Sequence, residues 1–231
     1  MLAESFPVRL VERRRLSARV SELSLELLGA TPFRWLGGQY VMVGATSSAE
    51  RFAFSIARAD DGSDPARLLL AVGDGSSAEP LLTATPGAEL VLIGPRGSFT
   101  WRPAPAALLI GVGTGTAPLK ALVEEALAHS FEGPIVLLGG FRGDADVLWS
   151  AEFRELSRRH PNFRFEPTLS LPEPSWTGLR GRVQEHLGEL VQNLPARTAV
   201  YVCGKTAMVE SCRERLAVLA VLPDDIKAES Y

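Results

Sequence analysis

Over the first hundred positions the apolar residues come in short runs separated by turn clusters. β-rich runs occupy about 6–11, 18–28, 39–44, 52–58, 67–72 and 89–94, with Ala30-Thr31-Pro32, Gly37-Gly38, Asp60-Asp61-Gly62 and Thr85-Pro86-Gly87 between them. Within 18–28, Val20, Leu23, Leu25 and Leu27 partly alternate with polar neighbours, as on a half-buried strand. Short strands at this spacing predict an antiparallel barrel or sandwich. The pattern changes after Pro105. Ala106–Val112 is an unbroken apolar run suited to a strand buried on both faces. The following segment, 117–128, sets Leu119, Leu122, Val123, Ala126 and Leu127 on one helical face. Strands at 134–138, 163–168 and 199–203 then alternate with helices at 149–159, 183–193 and 206–219, which predicts a parallel sheet flanked by helices. Trp101-Arg102-Pro103-Ala104-Pro105 reads as a stiff linker, so two domains are expected, 1–102 and 103–231.

Composition narrows the function classes. The chain has 231 residues and a formal charge of −3, from 24 basic and 27 acidic side chains, which lacks the basic excess of a nucleic-acid-binding protein. No apolar stretch approaches the ~18 residues of a membrane span. The start, MLAESFPVRL, lacks the basic and apolar segments of a signal peptide, so the expected location is the cytoplasm, with neither nucleic acid nor membrane as partner. Two cysteines, Cys203 and Cys212, are too few for a disulfide framework, a four-thiolate zinc site or a cysteine-ligated iron–sulfur cluster, and no metal site is expected.

Four short segments carry candidate chemistry. Gly111-Val112-Gly113-Thr114-Gly115-Thr116-Ala117-Pro118 lies between a buried strand and a helix. Its glycines permit positive φ and close backbone approach, and the helix start offers N–H groups and a positive dipole end to a phosphate. Taken alone it is equally a tight strand–helix turn. Tyr201-Val202-Cys203-Gly204 ends a second buried strand; ligands of open parallel sheets sit beyond the carboxyl ends of the strands, so Cys203, Gly204 and the Gly113 loop are expected to face one crevice. In isolation, a cysteine there is also a small packed residue. Gly94-Pro95-Arg96-Gly97-Ser98-Phe99 closes the β-rich half, and Arg51-Phe52-Ala53-Phe54-Ser55-Ile56 lies within it. Singly, these two are a turn and a strand with one exposed arginine.

Taken in order, a GQYV segment, the aromatic-Ser strand, GPRGSF, GVGTGTAP and YVCG resemble the ferredoxin–NADP reductase superfamily over nearly the whole chain, from about residue 8 to Tyr231. The resemblance implies an antiparallel flavin-binding β-barrel followed by a doubly wound parallel-sheet NAD(P)-binding domain. It implies further that Phe54 and Ser55 lie against the isoalloxazine ring, with Ser55 near flavin N5. Phe52 stands where the family carries an arginine; Arg51 is one position off and on a strand would face the other way. Either a local bulge restores Arg51 to the flavin phosphate or other groups hold it. Ser76 and Ser77, before a short helix, match the family's second phosphate contact. Gly113, Thr114 and Gly115 match the loop under the nucleotide pyrophosphate, and Arg142, after Gly139-Gly140-Phe141, falls where the adenosine ribose is expected. Arg142 favours a 2′-phosphate whereas Asp144 and Asp146 favour a bare ribose, so NADPH and NADH both stay open. Tyr231 and Glu229 match a terminal aromatic stacked on the flavin and a carboxylate near it. Ser55, Cys203, Glu229 and Tyr231 are thus the catalytic candidates.

The function implied is hydride transfer from NADH or NADPH to a flavin, FAD first and FMN second, with electrons leaving to a separate acceptor. With no cluster cysteines in the chain, that acceptor is a ferredoxin-like or oxygenase protein, or free flavin. Phe54 and Trp176-Thr177-Gly178-x-x-Gly181 also resemble free-flavin reductases of the superfamily. A non-catalytic subunit that binds flavin weakly is a third reading. A monomer or weak oligomer is expected.

Overall fold

The computed structural model describes residues 5–29, 31–63, 66–74 and 78–231. Six strands build the first half: β1 (Ser5–Ser17), β2 (Val20–Leu27), β3 (Tyr40–Ala45), β4 (Phe52–Ser55), β5 (Arg67–Gly73) and β6 (Glu89–Arg96), with a short helix α1 (Glu79–Thr83) before β6. They form one antiparallel sheet in the order β4-β3-β6-β1-β2-β5. The sheet curls like a barrel without closing, its two edges meeting at a single bridge between Ile56 and Leu70. The inward face follows the period of two that a pleated strand imposes. Phe6, Val8 and Leu10 of β1 and Leu23, Leu25 and Leu27 of β2 are buried together with Leu68, Leu70, Leu90 and Leu92.

The second half consists of β7 (Ala107–Val112), α2 (Thr116–Ala128), β8 (Ile135–Phe141), α3 (Ser150–Arg159), β9 (Phe163–Leu169), β10 (Leu179–Arg180), α4 (Val183–Gln192), β11 (Ala199–Gly204), α5 (Thr206–Val218) and β12 (Ile226–Ser230). All its strands run parallel in the order β10-β9-β8-β7-β11-β12. Leu119, Leu122 and Val123 of α2 and Phe153 of α3 pack one face, while Leu187 of α4 and Val209 and Leu216 of α5 pack the other. This is the doubly wound arrangement, and its strand order reverses between β7 and β11. Helices on both faces explain why β7 and β8 are apolar throughout instead of alternating.

Three features differ from the sequence expectations. Arg13, Arg14 and Arg15, which the β-rich runs at 6–11 and 18–28 leave between strands, lie within β1, whose register slips at Leu10/Glu12 and again at Arg15/Ser17. Each has a partner: Arg13 reaches the Leu82 carbonyl, Arg14 pairs with Glu22 at 2.8 Å and Glu152 at 2.6 Å, and Arg15 pairs with Asp74 at 2.7 Å. The 101–105 segment is not a free spacer. Trp101 stacks on Tyr201 with ring centroids 5.8 Å apart and meets Phe131 edge-on at 5.1 Å. The two-residue β10 is an addition that no pattern announced.

Candidate functional site

A cleft of about 800 Å³ opens where the curled sheet meets the carboxyl ends of the parallel strands. From the antiparallel side it is lined by Tyr40 and Met42 of β3, Ala53, Phe54 and Ser55 of β4, and Ala71, Gly73 and Asp74 at the end of β5. Across it stand Thr114 and Ala117, Cys203 and Lys205, and the run Glu229-Ser230-Tyr231. These lie beside the reversal of strand order between β7 and β11, where open α/β sheets take ligands.

Close backbone approach shapes the α/β wall. Gly113–Gly115 form one 3₁₀ turn, with Gly113 at φ +52°. The Thr116 hydroxyl donates to the Gly113 carbonyl at 2.7 Å and ties the turn to the first residue of α2. A Cβ on Gly115 would sit 2.8 Å from the Cys203 carbonyl carbon and 2.9 Å from the Gly204 Cα, so only glycine lets this loop lie flush on the end of β11. No side chain caps α2. Thr114, just before it, and Ala117, in its first turn, line the cleft, so the positive end of the helix dipole faces that space.

The deepest titratable groups in the cleft are disfavoured as charges. Cys203 and Glu229 are paired across β11 and β12. Cys203 is 2% exposed, and burial, reinforced by the Glu229 charge, pushes its thiol up to about 12. It is a neutral thiol at ordinary pH, with no nucleophilic thiolate character. Burial raises Glu229 as well. One oxygen of that carboxyl lies 3.7 Å from where a Cβ on Gly97 would be, beside the Tyr40 ring. Ser55 pairs with Tyr40 across β4 and β3. Tyr231 is 62% exposed, but its hydroxyl lies 2.8 Å from Thr114 Oγ1 and its N–H donates to the Gly204 carbonyl at 3.2 Å.

Of the sequence candidates, Phe54, Ser55, Thr114, Cys203, Glu229 and Tyr231 meet in this cleft. Gly113, Gly115 and Gly204 shape its wall without lining it, and Ser76 and Ser77 lie outside the described residues. Arg142 is exposed just beyond the end of β8 and is not among the residues lining the cleft. Arg51 is absent from the lining too, and the bulge that would have restored it is missing. The β3–β4 register runs unbroken from Tyr40↔Ser55 to Val43↔Phe52. Arg51 Nη1 instead donates to the carbonyls of Ser48 at 2.5 Å and Glu50 at 2.7 Å in the turn before β4. Its Nε is buried without a partner.

The lining also includes Tyr40, Met42, Asp74 and Lys205, which are not among the site candidates of the sequence. The GQYV and YVCG segments contain or abut three of them, so the signal was present as neighbouring positions. Tyr40 and Met42 share one face of β3 through a strand register that sequence alone does not display. The lining as a whole suits a planar aromatic ring with a polar edge: Met42, Ala53, Phe54 and Ala117 supply apolar walls, and Ser55, Tyr40 and Lys205 supply donors.

Comparison with known proteins places this geometry in context. Residues 109–214 match the family described as the oxidoreductase NAD-binding domain. The chain is 36% identical over 223 residues to ferredoxin–NADP reductase B of Sorangium cellulosum, an alignment covering 92% of this chain and 91% of that one. It is 27% identical to the phenol hydroxylase P5 protein of Acinetobacter pittii, covering all of this chain and 66% of that relative, so it spans slightly less than two thirds of that protein's length. Among solved structures, a cytochrome P450 reductase from Amycolatopsis superposes with a TM-score of 0.84 at 27% identity, covering 98% of this chain and 69% of that one.

Proposed function

The chain belongs to the ferredoxin–NADP reductase family, and from that premise we propose that it is an NAD(P)H-dependent flavin oxidoreductase that passes electrons to a separate acceptor protein, ferredoxin-like or an oxygenase component. The observation that carries this reading is the single cleft shared by Ser55, Cys203 and Glu229 with the Thr114 loop. A bound FAD supplies the hydride acceptor and splits the electron pair for onward one-electron transfer. The chain supplies orientation. Phe54 and Met42 flank the ring and Ser55 presents a hydroxyl to its reacting edge. The Gly113–Gly115 turn and the start of α2 seat the nucleotide pyrophosphate. Cys203, small and uncharged, leaves room for the nicotinamide, and the Glu229 carboxyl orients its carboxamide. Tyr231, held at Thr114, covers the entry side and has to swing away as nucleotide enters. Ser76 and Ser77 complete the flavin phosphate seat, and Arg142 contacts the adenosine end. In this reading residues 1–102 are the flavin domain and 103–231 the nucleotide domain.

The reading extends to the cell: a cytoplasmic reductase, monomeric or weakly associating. Among the described residues no helix is long and apolar enough to cross a membrane. One observation favours a second reading. Arg51 is spent on the turn carbonyls, so the flavin phosphates lose the cation that the family places there. Flavin held loosely would make the chain a reductase of free flavin. The visible spectrum decides between them. A yellow protein that bleaches under anaerobic NADH or NADPH supports the first reading. A colourless protein that oxidises nucleotide only with added FMN or riboflavin supports the second, and a colourless protein inert to both would sink the enzyme assignment.

A further inference from the structure

Lys120 is a cation with almost no solvent: it is 2% exposed, a burial lysines reach only when paired. Its Nζ donates to the Ala57 carbonyl at 3.2 Å and to Glu124 Oε1 at 2.5 Å, lies 3.4 Å from Glu152 Oε2, and stands 5.8 Å from the centre of the Trp149 ring. One ammonium thereby joins α2, α3 and the backbone just past β4. The carboxylates extend the joint. The other oxygen of Glu124 accepts from the Ala59 N–H at 3.0 Å, and Glu152 Oε1 accepts from Arg14 of β1 at 2.6 Å.

The placement of the joint matters more than its strength. Ala57 follows Ser55 on the same run of chain, and Lys120 lies one turn beyond Thr116, which the Gly113–Gly115 loop enters. Ser55 and Thr114 face each other across the cleft. A buried ion cluster is a poor source of stability, since well-packed hydrocarbon of similar volume is often as good or better. What hydrocarbon cannot supply is a fixed register between a helix and a backbone carbonyl on the other side of a domain contact.

We propose that Lys120 is a positioning residue: by clamping α2 to the Ala57 carbonyl it sets the spacing between the nucleotide loop and the Ser55 side of the cleft, and with it the approach of nicotinamide to flavin. This rests on the hydride-transfer reading above. Ring approach has to reach about 3–3.5 Å, and a misplacement of ~1 Å costs on the order of a hundredfold in rate.

The test uses the full chain, wild type, K120M and E124A, the second variant opening the same joint from a half-buried position should the first fail to fold. Two readouts are needed: hydrogen exchange of the Ala59 amide without ligands, and the anaerobic rate of flavin reduction set against nucleotide affinity. The expected result is faster exchange at Ala59 and flavin reduction slowed by about tenfold or more, with the nucleotide dissociation constant within roughly threefold of wild type. Variants with a lower melting temperature but unchanged reduction rate per bound flavin would overturn the positioning role and leave a merely structural one. A wild type reduced by neither nucleotide would overturn the functional reading, and the positioning role with it.

Discussion

Glu229 in the cleft departs from the ordinary chemistry of its type, and the deviation can be measured. Burial holds Glu229 above the usual carboxylate range. A carboxyl whose folded pKa lies above its unfolded value binds more protons when folded, so the native state loses stability as pH rises through that window. Glu229→Gln removes the titration. Its melting temperature should match wild type below the usual carboxylate range, exceed it as pH rises through the raised titration of Glu229, and keep that margin above it. Parallel curves throughout would show that Glu229 ionises as it does in the unfolded chain. The glycine loop allows a sharper contrast. Gly113→Ala places a methyl where nothing lies within 4 Å and incurs only the strain of φ +52°, about 1–2 kcal/mol. Gly115→Ala drives a methyl into the Cys203–Gly204 backbone and should cost about 1–3 kcal/mol while displacing the loop. Titration with NADPH or NADH should find affinity lost chiefly in the Gly115 variant. Equal losses would mean that the flush contact with β11 does not shape the nucleotide seat.

At the scale of elements, the segment joining the two sheets is anchored by β11. The Tyr201 hydroxyl accepts from the Arg102 N–H at 2.9 Å, and its ring carries Trp101 stacked and Phe99 edge-on at 5.7 Å. Burial pushes this phenol up to about 12, so it stays a neutral partner at ordinary pH. Tyr201→Phe leaves the aromatic packing and removes the acceptor, and should lower the unfolding free energy in urea by about 1–2 kcal/mol. A neutral result would mean water replaces the hydroxyl. Such an anchor was not legible in Trp101-Arg102-Pro103-Ala104-Pro105, where the prolines suggest stiffness but nothing names the distant tyrosine. The elements themselves were far more legible. β7 and α2 announce themselves because burial on two faces demands an unbroken apolar run and burial on one face demands a helical stripe. β1 was read short because its outer half is Arg13-Arg14-Arg15, which erases the alternation, and because two register slips break the period of two. For the site, glycines were informative where φ or close approach requires them. Arg51 was not, since its partners are carbonyls that only the folded β3–β4 turn brings together.

At the scale of the whole molecule, two sheets need not mean two independently melting units. One hydrophobic cluster takes in Ala57, Ala71 and Phe99 on the antiparallel side together with Leu109, Leu119, Leu122 and Tyr201 on the other. Polar groups cross the same seam in satisfied pairs. Glu22, 5% exposed, accepts from the Trp149 indole at 2.7 Å and from Arg14 at 2.9 Å, and Glu125 accepts from the Gly37 N–H. If the halves separated, Glu22 would lose the Trp149 indole, and apolar surface from both sides would meet water. Losing the Glu22–Trp149 hydrogen bond costs about 1.5–3 kcal/mol, and each methylene exposed adds about 0.8 kcal/mol. Partial unfolding is therefore expensive relative to a total stability of only about 5–15 kcal/mol. The ligand-free chain should unfold in one transition, with calorimetric and van't Hoff enthalpies equal and the slowest amides of β1 and β7 opening with the same free energy. Glu22→Ala should uncouple them, since it strips the seam of the carboxylate that Arg14 and Trp149 share. Two transitions in the wild type would show that the halves melt independently, and a single one persisting in Glu22→Ala with unchanged midpoint would show that the cohesion does not depend on this carboxylate.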